Sequence, residues 1–242
     1  MDFKNIKSRI DSTQDKARII KALDEFIEFG GFPEVIVYNN TEVLEKIYED
    51  VINKDAIVRA KVKDEKTFKD MALYLISNSG KEFTYNALKN QFKLGSSNTA
   101  KSHVYYLTNT YLLNELNQFH YSLKKQSQAP KKIYCIDTGM INKMAFKFSK
   151  DQGRMYENIA FIELKRRNKQ AYYWKDKNGK EVDFLIKEKN QIVEAIQVSL
   201  DLTDEKTKKR EIEALLSALK QFKLKKGIII TKDLEQTEKL SG

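Results

Sequence analysis

The 242-residue chain has one cysteine, Cys135, two prolines and nine glycines. A lone thiol forms no intrachain disulfide, so packing must supply the stability and a reducing cytoplasm fits. The two histidines, His103 and His120, stand far apart, which excludes a zinc site built from Cys and His alone. No apolar run approaches the length of a membrane span, and Met1 opens directly onto a charged segment. Neither a signal peptide, an anchor nor any membrane partner is expected. A complete phosphate-binding loop is also missing. GSSNTAKS (residues 95–102) comes nearest, but Ala100 stands where a second glycine is needed, and no apolar strand runs into Gly95. The backbone of such a loop must wrap the phosphates closely, which needs both features. The segment reads instead as a helix start capped by Ser96 or Ser97, and no ATP site is expected.

What the chain does have is positive charge. Lys plus Arg number 44 against 34 Asp plus Glu, a net charge of +10. A polyanion partner, most simply DNA, fits that excess, and so does a lysine-rich chain that is merely well solvated. Hydrophobic residues make up 41%, enough for a substantial core.

Scarce Pro and Gly let long helices dominate the first half. Over 15–29, Ile19, Ile20, Leu23, Phe26 and Ile27 share one helical face, and Gly30, Gly31, Phe32 and Pro33 stop the helix. A second helix follows Thr41, with Val43, Leu44, Ile47, Val51 and Ile52 inward. A third follows Asp64, with Phe68, Met71, Ala72, Leu75 and Ile76 inward. Thr84 caps a short helix carrying Leu88 and Phe92. After a turn at residues 95–97, a helix over 98–113 turns Ala100, Val104, Leu107 and Tyr111 inward. Strand-like runs at 112–119 and 132–136 flank a polar loop. Helix, turn, helix and hairpin is the order of a winged helix-turn-helix. In that arrangement Lys101, Ser102 and Tyr105 lie on the outer face of a recognition helix, and Lys124, Lys125 and Lys131 of the loop reach phosphates. The recognition helix has no base-reading Arg, which argues against sequence-specific readout.

The second half reads as a helix over 154–167, strands at 171–175, 181–188 and 191–200, a helix over 204–222 capped by Thr203, and an almost wholly apolar strand at 226–232. The last suits a buried central strand. The fold class is therefore mixed, α+β or α/β. A helical lid-like segment (1–63) precedes a winged-helix-type domain (64–140) and a mixed sheet flanked by helices (150–242).

Three polar side chains stand on this scaffold at apolar positions. Glu157 has helical spacing with Ala160, Phe161 and Leu164. Asp183 lies between Val182 and Phe184. Gln197 lies between Ile196 and Val198, sharing a strand face with Ser199. Polar groups set into apolar strands cost free energy unless they bond or bind something, and gathered oxygens suit a hard cation such as Mg²⁺ or Mn²⁺.

The order of elements from 154 to 232, with NGKEVDFLI followed by a strand ending IQVS, resembles the PD-(D/E)XK, or restriction-endonuclease-like, fold. The whole chain resembles the C-terminal region of the archaeal and bacterial P-loop AAA-type ATPases that end in such a domain. FGGFPEVI (29–36), DAIVR (55–59), IDTGM (136–140), YEN (156–158), EVDF and EAIQVS carry that likeness. It implies that Asp183 is a metal ligand, that Glu157 is the acidic residue of the first core helix, and that Gln197 stands where a second acidic ligand belongs. Ser199 stands where the catalytic lysine belongs. Glutamine brings no charge and serine cannot steady a pentavalent phosphate. A lysine arriving from elsewhere, such as Lys175 or Lys180, would have to replace it.

The resemblance also implies an ATPase domain that this chain lacks, with a start at Met1 in linker sequence and an abrupt end at residues 238–242 that suit a truncated protein. Three functions follow. The first is a nucleic-acid- or partner-binding module of such an ATPase, with a degenerate nuclease-like domain. The second is a metal-dependent DNA endonuclease using Asp183, Glu157 and Gln197. The third is a protein–protein module, with oligomerisation open and no role for DNA.

Overall fold

A computed structural model describes residues 13–145, 152–200, 202–232 and 237–238. The expected features at Met1 and at the last four residues lie outside this range. The first half is helical, the second is a mixed sheet with helices packed on it, and a small antiparallel sheet lies between. No helix among the described residues is long and apolar enough to cross a membrane.

Helix α1 (Thr13–Phe29) ends where expected, and α2 (Pro33–Tyr38) follows at once with Pro33 in its first turn. The α1 face is thinner than its periodicity suggests. Ile20, Leu23 and Ile27 are half-buried, whereas Ile19 and Phe26 are exposed. Helix α3 (Glu42–Asp50) runs into a π-helical stretch (Val51–Ala56) and a last turn, α4 (Ile57–Ala60). The wider turn keeps Ile52, Ala56 and Ile57 all buried. Helix α5 (Glu65–Ser77) is capped by Asp64, and its five expected inward residues are all inside.

Next come β1 (Glu82–Phe83), α6 (Tyr85–Gln91), α7 (Ser97–Asn109), β2 (Leu113–Asn117), α8 (Leu123–Gln128) and β3 (Lys131–Cys135). Thr84 and Ser96 cap α6 and α7 through their hydroxyls. The helix expected to reach residue 113 stops at Asn109. Tyr111 sits at φ 63° and is exposed rather than inward. The three strands pair antiparallel in the order β1-β3-β2. Helix α9 (Thr138–Met144) follows β3.

The second half holds α10 (Gln152–Arg166), β4 (Gln170–Lys175), β5 (Glu181–Glu188), β6 (Gln191–Val198), α11 (Glu205–Phe222) and β7 (Ile228–Ile230). The sheet order is β4-β5-β6-β7, antiparallel except for the parallel β6–β7 pair. That parallel pair follows from α11, which returns the chain to the same end of the sheet. Asp204, not Thr203, caps α11, accepting the Thr207 N–H at 2.8 Å. The apolar run at 226–232 forms a short edge strand rather than a central one. Ile229 packs under α11, while Ile228 and Ile230 stay exposed.

The two halves are joined by more than the chain. Leu116 and Tyr134 of the small sheet pack with Phe161 of α10 and with Tyr173, Phe184, Ile186 and Ile196 of the large sheet. Phe119 donates its N–H to the Tyr173 carbonyl at 2.7 Å, and the Tyr173 hydroxyl donates to Pro130 at 2.7 Å. The loop beyond β2 is thereby pinned against β4.

Candidate functional site

Glu157 on α10 and Asp183 on β5 do converge, around a cation that sequence reading missed. Lys132 of β3 extends its ammonium from the neighbouring sheet. It lies 2.7 Å from Glu157 Oε1, 2.6 Å from Glu181 Oε1 and 3.4 Å from Asp183 Oδ1. Its side chain is 4% exposed. The Tyr134 hydroxyl donates to Glu157 Oε1 at 2.6 Å, and the Val198 N–H donates to Asp183 Oδ2 at 2.9 Å. All five residues of the strand KKIYC are buried, which is why Lys132 finds carboxylates inside, but that burial comes from tertiary packing and is not written in the strand's own sequence.

The electrostatics follow from that burial. Desolvation, with Glu157 close by, pushes the Asp183 carboxyl up to about 7, against the pull of Lys132. Lys132 itself is desolvated, but its three carboxylates outweigh this and hold it well above the ordinary lysine range. Glu181 is drawn below its usual value by Lys132 and Lys175 despite its own burial.

Gln197 lies beside this cluster but turns away from it. Its Oε1 accepts the Asp183 N–H at 3.3 Å, and its Nε2 donates to Glu211 Oε2 at 2.6 Å. Glu211 is in turn clasped by Arg210. Ser199 is buried, with its N–H on the Ile230 carbonyl. Of the expected substitute lysines, Lys175 reaches the edge of the cluster, pairing with Glu181 at 3.1 Å and with Glu82 at 2.7 Å, while Lys180 pairs with Glu213 away from it.

A divalent cation does not fit these residues. The ammonium of Lys132 fills the focus of the carboxylates, and Gln197 spends its carbonyl oxygen on a backbone N–H. Among the described residues no group of three or more His, Cys, Asp or Glu side chains is disposed to hold a metal ion.

On the helical side, Lys101, Ser102 and Tyr105 are exposed on one face of α7, as expected. Lys124 and Lys125 are exposed too, on α8 rather than in an irregular loop. Lys131 is a correction. It is 8% exposed, its Nζ closes the loop on the Ser127 and Ala129 carbonyls at 3.3 and 3.4 Å, and it lies 5.4 Å over the Tyr85 ring. It faces the protein rather than a phosphate.

The FGG, IDTGM and YEN motifs hold elements together. Asp137 of IDTGM accepts the N–H groups of Gly31 at 2.6 Å and Met140 at 2.9 Å. Thr138 and Asn142 donate to the last carbonyls of α1. A Cβ on Gly30 would fall 2.0 Å from Asp137 Oδ1, and one on Gly139 would fall 2.1 Å from the Phe29 carbonyl oxygen. Asn158 of YEN, 1% exposed, bonds both the N–H and the carbonyl of Cys135. FGG and IDTG therefore lock α1 onto α9, and YEN docks α10 onto β3.

Fold and site together define a mixed α+β protein whose acidic centre is neutralised by a lysine from the adjoining sheet. The chain belongs to the family described as a domain of unknown function, DUF8612, which matches residues 20–151, more than half of its length. Residues 152–241 match a second domain of unknown function, DUF4143. The chain is similar to an uncharacterised protein of Methanocaldococcus jannaschii, 37% identical over 232 residues that cover 91% of this chain and 51% of that protein. It is also similar to an uncharacterised protein of Haemophilus influenzae, 26% identical over 235 residues, 94% of this chain and 57% of that protein. The chain thus spans about half the length of the curated relatives it matches. No solved structure matches it.

Proposed function

We propose that the chain is a non-catalytic nucleic-acid-binding module of a cytoplasmic P-loop ATPase, built from a winged helix and a degenerate PD-(D/E)XK-like layer. The observation that carries the non-catalytic reading is Lys132. Its buried ammonium takes the place among the carboxylates that a catalytic metal would need, and the positions of the second acid and the lysine hold Gln197 and Ser199.

The winged-helix reading is supported by the order α5, β1, α6, α7, β2, β3, with β3 paired between β1 and β2. Exposed Lys101, Ser102 and Tyr105 leave one face of α7 open to a groove. The ATPase reading is supported by relatives about twice as long and by DUF4143 domains being typically found with ATPase domains.

Duplex retention at low salt, falling steeply as salt rises and without cleavage, is the expected result. Lys101→Glu should weaken it. Absence of any retention overturns the binding reading and leaves a protein–protein module. Plasmid nicking that requires Mg²⁺ or Mn²⁺, and that Asp183→Ala abolishes, overturns the non-catalytic reading. It would assign Lys132 the part of the lysine missing at Ser199.

A further inference from the structure

The loop after β2 and the end of α11 lie far apart in sequence and meet at one aromatic cluster. Phe119 packs edge-on against Tyr121, Tyr172 and Phe222, with ring centroids 5.1, 5.6 and 5.3 Å away. Tyr121 lies 6.5 Å from Phe222, and Trp174 meets Phe222 at 5.4 Å. The inner rings are buried or half-buried, but Tyr121 is 78% exposed and Leu123 80%.

The two segments that meet here carry charge of one sign. Residues 116–132 and 214–232 contain no aspartate or glutamate. Lys124 and Lys125 on α8, and Lys220, Lys223, Lys225 and Lys226 around the end of α11, are all exposed. Among the described residues none of these six ammonium groups is held in an ion pair. Four other lysines of the second half are paired, Lys169 with Glu188, Lys175 with Glu82, Lys180 with Glu213 and Lys208 with Glu238.

We infer that this surface binds single-stranded nucleic acid, the lysines neutralising phosphates and Tyr121 stacking on a base. The inference rests on the nucleic-acid reading above and adds to it a stacking platform, centred on Tyr121, beside the loop lysines Lys124 and Lys125. The exposed ring selects the single strand. A base inside a duplex keeps both faces in its stack, whereas an unpaired base offers one to an aromatic side chain. Tyr121 is held ready for this, since Phe119 beneath it is fixed by its backbone bond to Tyr173. An anionic membrane is the weaker match. Helix α8 has only six residues, LKKQSQ, with Leu123 its one apolar side chain, whereas an interfacial helix needs a broad apolar face.

The test is fluorescence anisotropy of the purified chain with a labelled oligothymidine of about 30 nucleotides, spanning one or more binding sites. A duplex of equal length and vesicles containing phosphatidylserine serve as the other probes. Tyr121→Ala should weaken single-strand binding about tenfold and leave duplex binding nearly unchanged. Lys124→Glu with Lys125→Glu, and Lys220→Glu with Lys223→Glu, should each weaken it at least as much, with a shallower salt dependence. Unchanged circular dichroism melting keeps these exposed variants comparable with the parent.

Loss of binding with Lys101→Glu but not with Tyr121→Ala or the lysine variants overturns this inference and spares the module reading. Failure to bind either oligonucleotide at low salt overturns both. Sedimentation with the vesicles that Tyr121→Ala abolishes, without oligonucleotide binding, assigns the surface to a membrane and overturns it as well.

Discussion

At the scale of single residues, Lys132 decides what the acidic centre is. Removing one partner of a buried ion pair leaves an uncompensated charge, which costs about 3–5 kcal/mol. Lys132→Met should therefore destabilise the fold by about that much at neutral pH, read from urea midpoints, because Glu157, Glu181 and Asp183 lose their shared cation. Its deficit should shrink as pH falls and the carboxylates take up protons. Asp183 makes a separate prediction. Its folded pKa is raised to about 7 from the 3.8 of an exposed aspartate. Between these values the native chain holds a proton that the unfolded chain has released, so this contribution to stability is full below about pH 4 and fades as pH rises through 7. The stability of Asp183→Asn minus that of the parent should thus increase from pH 4 to pH 7. A flat difference over that window would show that Asp183 titrates normally. The same cluster marks a limit of sequence reading. Glu157 and Asp183 were legible as carboxylates at apolar positions, but their partner lies 51 positions from Asp183, on another sheet. Spacing along one strand or helix carries no trace of it.

At the scale of elements, the caps and the inward faces of α5, α6 and α7 were legible because each is set by residues within one or two turns. Two elements were not. The π-helical stretch after α3 obeys the packing of Ile52 and Ala56 against neighbours, which no local propensity encodes. The run Ile228–Ile230 reads as buried, yet it forms an edge, because an apolar sequence does not say how many strands will flank it. The glycine motifs were legible as motifs but not as a joint. The end of α1 is satisfied by the start of α9, and that approach leaves no room for a methyl group at Gly139. Gly139→Ala should destabilise the chain by about 3 kcal/mol, the upper end of the cost of overpacking. Limited proteolysis should then cut within Thr13–Phe29 well before the rest unfolds. Equal resistance in the variant would place the strain somewhere other than the α1–α9 joint.

At the scale of the whole molecule, the sequence suggests separate domains at 64–140 and 150–242, and one of the apolar clusters of the described residues runs across that boundary. Tyr134 stacks on Phe161 at 4.2 Å, Asn158 holds both polar groups of Cys135, and Lys132 neutralises acids it does not share a sheet with. Cutting the chain there would expose Phe161, Tyr173 and Phe184 on one side, strand Glu157 and Asp183 without their cation, and leave Glu181 with Lys175 alone. A fragment of residues 152–242 should therefore lack fixed tertiary packing at neutral pH. Dye binding to exposed apolar surface and poor dispersion of its amide resonances would report this. The intact chain should instead unfold as one unit. Its single tryptophan, Trp174, reports the second half, while far-ultraviolet circular dichroism is weighted toward the helices of the first. The two urea transitions should coincide, because loss of either half removes the other's share of the common core. Separated midpoints, or a fragment with a dispersed spectrum, would make the junction a docking contact between autonomous domains, and Lys132 would then be a removable plug rather than part of the core.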